Sequence, residues 1–198
     1  MGHRTERLGV RENYWGMGMN KNLSMCIGLF VCLASWIPSG ACAQDKSSRP
    51  SPPAKAECQL DGGKRVVVDY SSPRVKGRKI FGELVPFGEV WRAGANEATK
   101  LVIDTDLSVG GTTVPAGSYT IFAIPNADKW TLVISKKTGE WGTAYPGAKE
   151  DLARIEMKVS KLPSLAENFT IAFDQSGGGC TLRMDWENTR AAVDVARK

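Results

Sequence analysis

An all-β domain is the fold class this sequence predicts, most simply an antiparallel two-sheet β-sandwich of seven to eight short strands with at most one short helix. Three observations lead there. Short runs rich in Val, Ile, Thr and aromatic residues recur between residues 65 and 195. Turns containing Gly, Pro or Asn separate them. No stretch carries the apolar period of an amphipathic helix for more than a few turns.

Residues 65–70 (RVVVDY) are β-branched and follow an Asp61-Gly62-Gly63 turn. Residues 99–104 form the next candidate strand, and Val109-Gly110-Gly111-Thr112 is a tight hairpin signal. Residues 119–124 (YTIFAI) are nearly all apolar, as a central strand would be. Residues 129–135 place Trp130, Leu132 and Ile134 on one face. Residues 154–159 turn Ile155, Met157 and Val159 inward, and residues 168–173 do the same with Phe169, Ile171 and Phe173. Residues 181–186 and 190–195 read as a closing hairpin around Asn188, with Leu182, Met184 and Trp186, then Ala191, Val193 and Val195, on the apolar faces. Residues 146–154 are the one place for a short helix.

The N-terminus does not read as globular. Residues 23–37 are mostly apolar, follow Lys21, and end at Pro38-Ser39-Gly40 and the small residues Ala41-Cys42-Ala43. This is the pattern of a secretion signal over residues 1–43. A spanning helix needs ~20 apolar residues, so a retained anchor is the weaker reading, and no transmembrane segment is expected after cleavage. Met17 and Met19 lie closer to the apolar run than Met1, and either is an alternative start. Cys42 as a lipidated cysteine is a weaker alternative, because Ser39 stands where a lipoprotein signal normally carries Leu. The expected location is therefore periplasmic or extracellular. Residues 44–54, rich in Pro and Ser, read as a linker, and residues 55–198 as a single domain.

Signal removal discards Cys26, Cys32 and Cys42 and leaves Cys58 and Cys180. An even pair in an exported protein is most simply a disulfide; the alternative is two buried free thiols. Loss of Arg4, Arg7, Arg11 and Lys21 with Glu6 and Glu12 lowers the formal charge from +5 to +3. That is too mild for a nucleic-acid-binding face. The single histidine, His3, lies upstream of the cleavage point, so the mature chain has no Ser-His-Asp, Cys-His or His-zinc chemistry. No cofactor, metal site or catalytic residue is expected from any motif.

Residues 70–82 (YSSPRVKGRKIFG), followed by residues 84–99 (LVPFGEVWRAGANEAT), resemble a bacterial family of exported proteins known as domain of unknown function 2911. Val109-Gly110-Gly111, the stretch from Val114 to Phe122, and Trp141-Gly142 before Tyr145 extend the resemblance over about residues 64–195. It implies an exported β-rich domain without an assigned reaction. Ala93 departs from the pattern, where Thr is expected, and removes a hydroxyl from the motif.

The motif gathers Trp91, Arg92, Asn96 and Glu97, with Arg74 and Arg78 upstream. Arg supplies a planar fork suited to carboxylate or phosphate, Asn and Glu an amide and an acceptor, and Trp an apolar face. Together they suit a small polar ligand or glycan. The competing reading is internal: Arg92 paired to Glu97 or Glu89, Trp91 in the core, and Asn96 closing a turn. Trp141 and Tyr145, beside glycines, are a candidate stacking platform or a lid on the core. A glycosidase-like hydrolase working without histidine would need two carboxylates across a cleft, such as Glu97 with Glu140 or Glu89. Asp104 and Asp106 suit a solvated turn better than calcium, and the Asn168-Phe169-Thr170 sequon falls within a strand. The expectation is a binding module of the cell envelope, its partner a small polar ligand, a glycan or an envelope protein. A structural or protein-interaction domain is the alternative, and the hydrolase a second one.

Overall fold

The computed structural model describes residues 45–141 and 144–198. The predicted signal, with Met17, Met19 and Cys42, lies outside the described residues. The strands are β1 (Pro53–Leu60), β2 (Lys64–Ser71), β3 (Lys100–Ile103), β4 (Leu107–Val109), β5 (Thr112–Val114), β6 (Gly117–Ile124), β7 (Lys129–Ser135), β8 (Asp151–Ser176) and β9 (Gly179–Arg197). They form one nine-stranded sheet in the order β1-β2-β3-β6-β7-β8-β9-β4-β5, and every pairing in it is antiparallel. Among the described residues no helix is long and apolar enough to cross a membrane.

The antiparallel all-β class is as expected, but one nine-stranded sheet replaces two sheets of seven or eight strands. The difference originates in β8 and β9. Residues 154–159 and 168–173 belong to one strand, and the expected hairpin around Asn188 is continuous strand within β9. Their ladder runs Lys161↔Thr189, Ala166↔Glu187, Thr170↔Asp185, so β8 carries more residues than β9 across this stretch. Glu187 takes a φ of 55° at that bulge. Bulges bend a strand without ending it, and such strands carry a sheet around a corner. An Asn in a run of alternating apolar residues signals a turn, and here the chain uses it in a bend.

The bend brings the two arms of the sheet face to face. Cys58 on β1 is disulfide-bonded to Cys180 on β9, across a sequence separation of 122. On β2, the Tyr70 hydroxyl donates to the Ile171 carbonyl at 3.3 Å, and its ring meets Phe169 edge-on at 5.8 Å. Between the arms lie the alternating residues that the sequence marks as inward: Trp130, Leu132 and Ile134, Ile155 and Met157, Phe169 and Ile171, Leu182, Met184 and Trp186, and Ala191, Val193 and Val195. Val159 and Phe173 are only partly buried. The indole N–H groups of Trp130 and Trp186 find no acceptor among the described residues.

The second half of β6 is nearly all apolar because both its faces are covered. Ile121 and Ala123 join the main core, while Phe122 is buried on the other face and packs edge-on against Tyr145 at 5.2 Å. The expected short helix over residues 146–154 is one 3-10 turn, Ala148–Glu150, after which β8 begins at once. The expected linker also differs. β1 starts at Pro53, and Arg49 and Ser51 bond to the domain.

Candidate functional site

The Trp-Arg-Ala-Gly-Ala-Asn-Glu motif is an excursion from the edge of β6. Trp91 exchanges two backbone hydrogen bonds with Ala123, both 2.8 Å, and the Thr99 carbonyl accepts from the Ile121 N–H at 2.9 Å before β3 begins. The chain between them folds into a tight loop, with Ala93 at φ 48° and Asn96 at φ 57°. Gly94 is required by space. A Cβ there would lie 2.9 Å from Thr99 Oγ1 and 3.0 Å from the Ser71 carbonyl. The Thr99 hydroxyl, itself buried, donates to the Ala93 carbonyl at 2.8 Å and closes the loop. Ala93 is fully buried, so its side chain is not presented to a ligand.

The loop sends its polar residues to different places. The Trp91 ring enters the core, stacked on Trp186 at 5.6 Å and edge-on to Phe169 at 4.9 Å and Trp130 at 6.3 Å. Asn96 Nδ2 donates to the Ser51 carbonyl at 2.9 Å and tethers the N-terminal segment. The left-handed backbone there suits Asn better than most residues. Arg92 is half-buried, and among the described residues its only hydrogen bond is a weak 3.4 Å contact from Nε to the Gly94 carbonyl. Burial pushes its pKa down from the usual guanidinium value. Arg74 Nη1 donates to the Ser72 carbonyl and hydroxyl. Arg78 donates to the carbonyls of Val75 and Arg74, which ties these two arginines to their own loop. Arg78 lines neither the cavity beside Arg92 nor those beside Glu97.

Glu97 is the hub. Its carboxylate accepts from Arg49 Nη1 at 2.9 and 3.1 Å and lies 3.0 Å from Lys46 Nζ. Its own backbone N–H, then Arg49 and Lys46, hold its pKa at about 2, against burial acting the other way. A general acid for glycoside cleavage needs the opposite shift. Two clefts flank it. One, of about 260 Å³, lies under Lys46 and Arg49 and reaches Asp69 and Tyr70. The other, of about 380 Å³, is lined by Glu97, Lys100, Thr120, Thr138, Glu140 and Trp141.

Trp141 borders the larger cleft. Its backbone bridges to Glu97, yet the residue is 64% exposed. The neighbouring Glu140 pairs with Lys137 at 3.1 Å. Tyr145 is not on this platform. Its hydroxyl donates to the Asp151 carboxylate at 2.7 Å and accepts from Arg154 Nη2 at 2.9 Å, while its ring covers Phe122. Desolvation, and then the hydrogen bond to Asp151, raise its pKa. Asp104 lies 3.6 Å from Arg65 Nε, and Asp106 accepts from the Ala116 N–H at 2.9 Å, the behaviour of turn residues.

The structure therefore joins Glu97 to Trp141 and separates both from Arg92, Trp91 and Arg78. Sequence reasoning missed Lys46, Arg49, Lys100, Thr120 and Thr138. Two basic residues in a Pro- and Ser-rich stretch look like any solvated linker. Lys100 had a signal, as the residue that follows the motif directly.

No curated protein and no solved structure matches this sequence. The family model described as a protein of unknown function, DUF2911, matches residues 51–195, which takes in the motif loop, both clefts except Lys46 and Arg49, and all of the sheet but Ala196 and Arg197. This chain belongs to the DUF2911 family.

Proposed function

We propose that the protein is an exported binding module of the cell envelope that holds a small polar ligand or glycan in the cleft between Glu97, Lys100 and Trp141. The observation that carries this reading is the exposed Trp141 indole beside a cleft of about 380 Å³ with acidic, basic and hydroxyl side chains on its walls. An exposed aromatic face bordering converging polar groups suits a sugar ring, which has apolar C–H faces and a polar rim. Export is supported by the basic, apolar and small-residue sequence ending at Ala43, and by the Cys58–Cys180 disulfide, a bond kept in oxidising compartments.

A thermal-shift panel of soluble cell-wall fragments, oligosaccharides, organic acids and phosphates tests the reading. A ligand at a hundred times its Kd adds ~2.7 kcal/mol of stability, a readily visible shift. Trp141→Ala, on an exposed side chain, should keep the melting temperature and lose the shift. A shift that survives in Trp141→Ala and Lys100→Ala would sink the assignment of the cleft. The scaffold reading is favoured by one observation. Asn96 and Glu97 both bond to the chain's own N-terminal segment. The low pKa of Glu97 disfavours it as the general acid of a hydrolase.

A further inference from the structure

Arg92 faces a cavity of about 250 Å³ on the other side of the motif loop. Leu84, Val85, Pro86, Val90 and Trp91 make its apolar wall, and Glu89 is the second charged group lining it. Among the described residues neither Arg92 nor Glu89 forms an ion pair. The Arg92 Nε contact to Gly94 leaves both Nη groups without a protein acceptor among these residues. These Nη groups are not sealed from solvent, so a molecule entering the cavity can reach them. Here desolvation is incurred without a counter-charge, and the unused face is the fork that fits a carboxylate in bidentate fashion.

The walls are held in place without a ligand. The Gly88 N–H donates to the Pro125 carbonyl at 2.8 Å, Trp91 is paired with Ala123, and the turn opposite is closed from Val85 N–H to Ile80 and from Gly82 N–H to Val85, both 2.9 Å. The volume falls below the usual range for drug-sized ligands, about 300–1,000 Å³, so the occupant is small. A bare carboxylate on Arg92 would meet Glu89 as a like charge. A ligand that also carries a cation turns that repulsion into attraction.

We propose that this cavity binds a free apolar α-amino acid of about leucine size, its carboxylate on the Arg92 Nη groups, its ammonium toward Glu89, and its side chain against Leu84, Val85 and Val90. The site is separate from the Trp141 cleft and goes beyond the function proposed for it.

Calorimetric titration of the oxidised full chain with L-leucine, 4-methylpentanoate and 3-methylbutylamine tests this. The three differ only in which charges they carry. Leucine should bind saturably, 4-methylpentanoate about tenfold or more weaker, and the amine without detectable heat. Arg92→Ala should abolish leucine binding. Arg92→Lys, which keeps the charge and loses the fork, should weaken it about tenfold. Glu89→Gln, on an exposed side chain, should lower leucine to the level of 4-methylpentanoate, and it carries the test if Arg92→Ala does not fold. Trp141→Ala should leave leucine binding unchanged, so failure of the cleft assignment and of this one are distinct. The proposal is overturned by absence of saturable leucine binding, by equal affinity for leucine and 4-methylpentanoate, or by unchanged binding in a folded Arg92 variant.

Discussion

Arg49→Ala probes whether residues 45–52 are part of the domain. Arg49 Nη1 reaches both Glu97 oxygens, at 2.9 and 3.1 Å, with side chains 23% and 35% exposed. Glu97 moves from an ordinary 4.5 to about 2 in the folded protein, which taken whole would correspond to roughly 3 kcal/mol. Two facts reduce the share that Arg49 supplies. The largest contribution is Glu97's own backbone N–H, which survives the substitution, and the pair is open enough to be screened by solvent. About 1 kcal/mol is expected for the Arg49–Glu97 coupling. The folded pKa lies below the unfolded one, so the stabilisation is fully present above pH 4.5 and fades as pH falls toward 2. Urea denaturation of wild type, Arg49→Ala, Glu97→Gln and the double variant, at pH 7 and at steps down to pH 2, reads the coupling. A coupling near zero at pH 7, or one that does not shrink across that window, would refute the claim that this segment is bound through Glu97.

Reduction of Cys58–Cys180, or replacement of both by Ala, should cost about 2–4 kcal/mol, because the bond closes a very long loop; differential scanning calorimetry should show the melting temperature falling by roughly 5–15 °C. Gly110→Ala should destabilise by about 1–3 kcal/mol in urea, since its Cβ would sit 2.7 Å from Ile155 Cγ2 and 3.0 Å from Val193 Cγ2 at a φ of 52°. Asp185→Ala should cost about 2–3 kcal/mol by the same assay. It removes a buried carboxylate that accepts from Arg190 Nε at 2.8 Å, from its Nη2 at 2.7 Å, and from Arg183 Nη1.

Much of the fold was legible because burial in a sheet repeats every second residue. Trp130-Leu132-Ile134 and Leu182-Met184-Trp186 give their inward faces directly. The nearly continuous apolar run of β6 announced a central strand, although the partner on its outer face, Tyr145 over Phe122, could not be named from spacing. Strand continuity was not legible. A bulge at Glu187 and a turn at Asn188 use the same residue types, and only the pairing across the sheet separates them. The site was half legible. Local sequence placed Trp91, Arg92, Asn96 and Glu97 together, but successive residues of a tight loop point in different directions, so Trp91 went to the core, Arg92 to one cavity and Glu97 to another. The partners of Glu97 lie 48 and 51 residues upstream, at Arg49 and Lys46, beyond the reach of any local pattern.

The central claim is a ligand on the Trp141 face. Of the tryptophans described, Trp130 and Trp186 are buried and Trp91 is stacked in the core, whereas Trp141 is largely exposed. In an intrinsic-fluorescence titration with soluble cell-wall glycans, run on wild type and Trp141→Phe, the difference between the two proteins isolates this one indole. The account predicts a saturable spectral change in wild type that disappears in Trp141→Phe. No saturable change with any glycan, or the same change in both proteins, would contradict it.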